Sequence, residues 1–278
     1  MRVAGWTAAV IVVAGVAGCA PPAAKPQVTT AAPAAVKEIA PGFLAGYLPM
    51  NGAPSSLVIV PPPPAAGSAA QGRDDEASKA GLALHGGPRW VQATEDAELK
   101  FPKAAETFSC ALGIEVSQTA TPKLYVLLRR TLTDLGLSTY PTKNKYARTR
   151  PFVINGQPQC TPAEDAVLRK DGSYPSGHSA IGFGWGLILA QASPDRAAEL
   201  VARGRAFGDS RRVCNVHWQS DIEEGRMMAS ATVAKLNADP VFVADIEAAK
   251  AEIAAARATG STPARDCARE ASALAAAG

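Results

Sequence analysis

The sequence predicts an all-α protein built as a single helical-bundle domain, and three observations predict it. From Ser68 onward, one stretch of good helix formers follows another. Proline and glycine stand at the joints: Pro122, Gly136, Pro151, Gly172, Pro175, Pro194, Pro240 and Gly260. Convincing alternating strands and any repeat of fixed period are absent. With 47% hydrophobic residues in 278, the chain can bury one sizeable core.

The elements follow in order. Met1-Arg2 and the apolar run "AGWTAAVIVVAGVAG" read as a targeting segment, too short for a comfortable membrane span. It ends in "VAGC", which resembles the lipobox of bacterial lipoprotein signal peptides. That resemblance implies a signal peptide over 1–18, lipidation at Cys19 and a periplasmic protein. Because Ala20 rather than aspartate follows the cysteine, it implies anchoring to the outer membrane. Residues 19–41 are Ala/Pro-rich without a periodic apolar face and read as a disordered tether, with the folded domain over 42–278. The prolines of "SSLVIVPPPP" suggest an extended surface strap. Ser68 is a plausible N-cap for the first helix, and further helices are expected near 93–111, 121–136, 140–149, 178–192, 194–207, 211–236 and 241–258. The apolar "AIGFGWGLILAQA" is thirteen residues long and reads as a core helix rather than a span.

Charge and cysteine content narrow the function. The net charge is +3 with 19% charged residues, and no basic run suggests a nucleic-acid partner. No CxxC or His-rich spacing suggests a metal, and no cofactor is called for. The four cysteines after Cys19 (Cys110, Cys160, Cys214 and Cys267) suggest two disulfides in an exported chain. Sequence alone leaves three connectivities open. A Cys160–Cys214 bridge would tie two of the segments described next, which favours it together with Cys110–Cys267.

Three segments carry chemistry. In "KNKYARTRP", Lys143 and Arg150 lie seven apart, near two helical turns, so both could face one anion. Pro151 turns Arg150 out of the helix; Lys145 and Arg148 read as a solvated basic face. In "DGSYPSGHSAIG", Ser176, Gly177 and His178 sit at a helix N-terminus, where free N–H groups and the macrodipole favour an anion. In "SRRVCNVHWQSD", His217 and Asp221 stand at i and i+4 of an expected helix, with Arg211 on a preceding turn. The carboxylate would keep one imidazole nitrogen protonated and leave the other free as a nucleophile. The third histidine, His85, reads as structural or surface.

Together these segments resemble the motif K-x6-RP … PSGH … SR-x5-H-x3-D of the type 2 phosphatidic acid phosphatase superfamily, shared with vanadium-dependent haloperoxidases. Every motif position matches, over about residues 65–255. The longer context is most similar to class A bacterial non-specific acid phosphatases, which implies the acid phosphatase/vanadium haloperoxidase type of helical bundle. The resemblance implies that Lys143, Arg150, Arg211, Ser176 and Gly177 hold the phosphoryl group. His217 would be phosphorylated with Asp221 behind it, and His178 would protonate the leaving group. The implied partners are small phosphate monoesters, turned over without a metal and with a bell-shaped pH dependence. Two alternatives are a vanadate-dependent haloperoxidase and a non-catalytic anion-binding lipoprotein. A membrane contact is expected only through Cys19, and a homo-oligomer is left open.

Overall fold

The structure, a computed structural model, describes residues 1, 2, 5 and 36–276. The signal peptide, the lipidation site Cys19 and most of the tether lie outside the described residues. A folded unit begins at Val36. Its helices are α1 (Ser56–Ile59), α2 (Ala69–Leu82), α3 (Pro88–Glu95), α4 (Ser109–Leu112), α5 (Pro122–Leu137), α6 (Tyr140–Tyr146), α7 (Pro151–Asn155), α8 (Asp165–Leu168), α9 (Gly177–Ala192), α10 (Ala197–Val213), α11 (Gln219–Leu236), α12 (Pro240–Ala258) and α13 (Cys267–Ala275). The only strands among the described residues are β1 (Glu38–Ala40) and β2 (Phe43–Leu44), an antiparallel pair. The all-α expectation holds. The strand β1, however, lies inside the stretch read as tether.

Local chemistry explains most boundaries. Ser68 caps α2 by accepting from the Gln71 N–H at 3.2 Å, and Asp239 caps α12 through the N–H groups of Val241 and Phe242. Proline occupies the first position of α3, α5, α7 and α12, where its missing N–H costs nothing. Three expected helices are interrupted. The 93–111 helix breaks at the end of α3 and resumes only past Pro102, through a 3-10 turn, Lys103–Phe108, into α4. The 140–149 helix stops at Tyr146 because Ala147 adopts φ +41°. The 211–236 helix divides at a turn over 214–218, with Asn215 at φ +58°. Within the proline strap, "SLVI" makes one helical turn, α1.

The core lies between α5, α9, α10, α11 and α12. Trp185 of α9 is at its centre, edge-on to Phe101 and Phe108, with its indole N–H donated to the Leu128 carbonyl at 3.1 Å. At the N-terminal end of α9, α11 approaches very closely: a Cβ on Gly225 would stand 2.5 Å from the Ser176 carbonyl oxygen. That approach brings the starts of α9 and α11 together, joined by the Ser176 N–H donating to the Asp221 carbonyl at 2.8 Å. The disulfides are Cys110–Cys267, tying α13 to α4, and Cys160–Cys214. They are the favoured pairing.

Candidate active site

The site forms where the three segments meet. After Ala147 the chain runs extended to Arg150 (φ −73°, ψ 151°), which caps α7. Lys143 and Arg150 therefore converge through a left-handed turn and not along one helix face. Both reach the Asp171 carboxylate, Lys143 Nζ at 3.2 Å and Arg150 Nη2 at 2.8 Å, and Lys143 also donates to the Gly172 carbonyl. Gly172 permits this contact: a Cβ there would lie 2.9 Å from the Lys143 carbonyl oxygen. Asp171 was not singled out in the sequence. No spacing rule marks a lone aspartate in a loop.

The second segment opens α9. Ser176 accepts the Ser179 N–H at 3.2 Å and is the helix cap. Gly177 and His178 line a cavity of about 400 Å³, together with Lys143, Arg150, Asp171, Arg211 and His217. His178 donates from Nε2 to the Ala97 carbonyl at 3.0 Å and stacks on Phe207, so Nδ1 is the nitrogen left for a ligand.

The third segment is a turn. The N–H groups of Val216 and His217 both hang from the Arg211 carbonyl, at 3.1 and 3.3 Å. His217 and Asp221 do touch, Nδ1 to Oδ2 at 3.2 Å, but His217 precedes α11 and does not ride on it. The same Oδ2 accepts the Trp218 N–H at 2.9 Å, so one carboxylate closes the helix start and orients the imidazole. His217 Nε2 faces Arg150 Nη1 at 3.0 Å. The turn is pinned laterally as well. Asn215 accepts the Phe152 N–H on its carbonyl, its side chain donates to the Gln157 and Pro158 carbonyls, and Cys214 is bridged to Cys160.

Arg148 corrects the sequence reading. Lys145 is exposed as expected, but Arg148 is turned inward. Its Nη1 donates to Asp221 Oδ1 at 2.7 Å and to Ser220, and its Nη2 donates to Asp74 at 2.7 Å and to Gln71. Asp74 in turn accepts from the Ser220 N–H and hydroxyl. The guanidinium thus spans two wholly buried carboxylates, a geometry that an i, i+n spacing cannot reveal.

The cation Arg211 is fully buried, and none of its three guanidinium nitrogens has a hydrogen-bond partner. Burying such a charge is costly unless an anion meets it. Burial and the neighbouring Arg150 push its pKa down to about 10. Lys143 is lowered to about 8, by burial and then by Arg150. Both histidines are held below the ordinary imidazole value, chiefly by desolvation. Arg211 adds to this for His178, and Arg150, Lys143 and Arg211 for His217. Burial raises Asp221, with Arg148 pulling it back. A phosphate-sized anion would offset the strain on the buried cations and imidazoles, though not that on Asp221.

Among the described residues, no cluster of three or more His, Cys, Asp or Glu side chains could hold a metal ion. No described helix is long and apolar enough to cross a membrane.

The PAP2 superfamily model matches residues 124–238, the span that carries all three segments. The chain is 41% identical over 181 residues to a non-specific acid phosphatase of Salmonella typhimurium, covering 65% of this chain and 72% of that one. An acid phosphatase of Zymomonas mobilis is 41% identical over 197 residues, with 69% and 73% covered. A non-specific acid phosphatase of Providencia stuartii is 38% identical over 182 residues, with 65% and 73% covered. The chain belongs to the bacterial non-specific acid phosphatases of the PAP2 superfamily. In this member of the family, the motif residues Lys143, Arg150, Gly177, His178, Arg211 and His217 line the cavity, and Asp221 contacts His217. His85 lies elsewhere, exposed against Trp90.

Proposed function

We propose that this acid phosphatase hydrolyses small phosphate monoesters through a phosphohistidine on His217, without a metal ion. The observation that carries the reading is Arg211, a buried guanidinium with no partner, in the cavity that also holds a carboxylate-oriented imidazole. Lys143, Arg150, Arg211 and the amides of Gly177 and His178 at the start of α9 would hold the phosphoryl oxygens. Phosphoryl transfer needs charge stabilisation and in-line positioning, which three cations and a helix N-terminus supply. Ser176 would act from behind, as the cap that fixes those amides.

Asp221 keeps the proton of His217 on Nδ1, so the Nε2 lone pair attacks phosphorus. The ester P–O bond breaks, and the leaving oxygen takes the proton from His178 Nδ1. A water molecule then gives a proton back to His178, attacks phosphorus and breaks the N–P bond. The experiment is p-nitrophenyl phosphate hydrolysis in EDTA, with acid-quench trapping of labelled phosphate on protein. Turnover that EDTA abolishes and a divalent ion restores overturns the metal-independent step. The N-terminal reading is proposed with it, namely Cys19 lipidated and the domain tethered in the periplasm at the outer membrane. Cys19→Ser should release active enzyme or leave unprocessed precursor, at unchanged activity per molecule.

A further inference from the structure

We propose that the β1–β2 hairpin is the leaving-group wall of the site and selects phosphate monoesters of apolar alcohols over those of polyols. The proposal rests on the hydrolytic reading above. The cavity divides by depth. Lys143, Arg150, Arg211 and His217 are its buried polar groups, each at most 4% exposed. Ile39 and Phe43 of the hairpin, with Leu137 and Tyr140, are its open groups, 37–45% exposed. Leu99, Leu132, Leu168 and Ile181 continue the apolar lining. A phosphoryl group held by the deep cations points its ester oxygen toward this rim. There an alkyl or aryl group would displace water from apolar surface. Apart from the phosphoryl-binding cations and the two histidines, a polyol would have only Tyr140, Thr133 and Asp171 among the lining side chains to replace the water it gives up. Asp171 is already held by Lys143 and Arg150.

The wall is built to stay in place. Arg129 Nη2 donates to Glu38 and to the Gly42 carbonyl, both at 3.1 Å. Thr133 Oγ1 donates to the Leu44 carbonyl at 2.8 Å, and Arg130 Nη2 to the Gly46 carbonyl at 3.1 Å. The N–H groups of Tyr47 and Leu48 donate to the Asp134 carboxylate at 2.8 and 3.1 Å. Four side chains of α5, two of them making two hydrogen bonds each, thus hold a segment that has almost no sheet of its own, and all come from the helix that supplies Leu132 and Leu137.

The test compares hexyl phosphate with glycerol 1-phosphate, two primary alkyl esters whose leaving oxygens need similar protonation. The ratio of their kcat/KM values should favour hexyl phosphate. In Phe43→Ser and Ile39→Ser that preference should fall about tenfold each, the size expected when apolar contacts are removed from a pocket. Inhibition by inorganic phosphate tells whether the anion site is intact. A fallen ratio with phosphate inhibition kept supports the wall. An unchanged ratio overturns it, as does an equal loss on both esters with weakened phosphate inhibition. Wild-type enzyme that hydrolyses neither ester would instead overturn the hydrolytic reading.

Discussion

His217 and His178 line one cavity with the same side chain, yet each is held by a different acceptor. His217 gives its Nδ1 proton to a buried carboxylate that also binds Arg148; His178 gives its Nε2 proton to a neutral carbonyl at Ala97. A carboxylate behind an imidazole stabilises the positive charge that grows when the far nitrogen bonds phosphorus. A carbonyl fixes the orientation without adding a charge of its own; the charges that bear on His178 are Arg211 and Arg150, which disfavour its protonated form until an anion meets them. In the proposed mechanism, the partner assigns the role. The arginines repeat the lesson: Arg150 already shares its charge with Asp171, whereas Arg211 has no partner among the described residues and so depends most on the ligand.

The largest expected effect is loss of His217. His217→Ala should remove the trapped phosphoenzyme and nearly all turnover. His178→Ala should slow hexyl phosphate by about 10²–10⁴-fold but p-nitrophenyl phosphate far less, and should still yield trapped phosphate from the latter. Equal losses on both esters would mean the two histidines do not divide the work as their partners suggest.

Next in size are the groups behind His217. Asp221→Asn removes the charge and Arg148→Lys keeps it while losing the fork. Each should lower kcat, Arg148→Lys by up to about 10²-fold through misplacement of the imidazole. Phosphoenzyme should form more slowly while the His178-dependent discrimination between leaving groups stays. If Arg148→Lys changes only thermal stability, the guanidinium serves the fold and not the nucleophile.

A smaller effect is linked to pH. Both imidazoles are held below their usual value of 6.5, so the unfolded chain binds protons there that the folded one does not. Stability is therefore complete above about pH 6.5 and is lost as pH falls through it. Bound phosphate favours the protonated form of His178 and should offset that loss. The rise in Tm on adding phosphate should be greater near pH 5 than near pH 7.5, as thermal denaturation will show. At the other end, Lys143 in the free enzyme loses its charge near pH 8, so kcat/KM should fall as pH rises through that value.

Smallest for chemistry is the Cys160–Cys214 bridge. It closes a loop with a sequence separation of 54. Removing it by Cys160→Ser with Cys214→Ser should cost up to about 4 kcal/mol in a chain-entropy account. Denaturant midpoints measure this. A substantial fall in kcat as well would show that the bridge also aims the His217 turn.

The sequence by itself determined the helical class, the starts of α2, α5, α9 and α12, and the residue types of the site. Capping serines, first-turn prolines and a motif in which each side chain has one chemical use are local properties, readable at their own positions. The tertiary structure decided how those residues meet. The motif helices at 140–149 and 211–236 are broken by Ala147 and Asn215 in left-handed conformations, which asparagine adopts readily but which packing must impose on alanine. Asp171, Arg148 and the β1–β2 hairpin were invisible for the same reason. Asp171 lies 28 residues from Lys143, and Arg148 lies 73 from Asp221. The hairpin's Leu44 is bonded to Thr133, 89 residues away. Such partners are chosen by which surfaces the core brings together, and a one-dimensional pattern records periodicity along the chain but no distance across it.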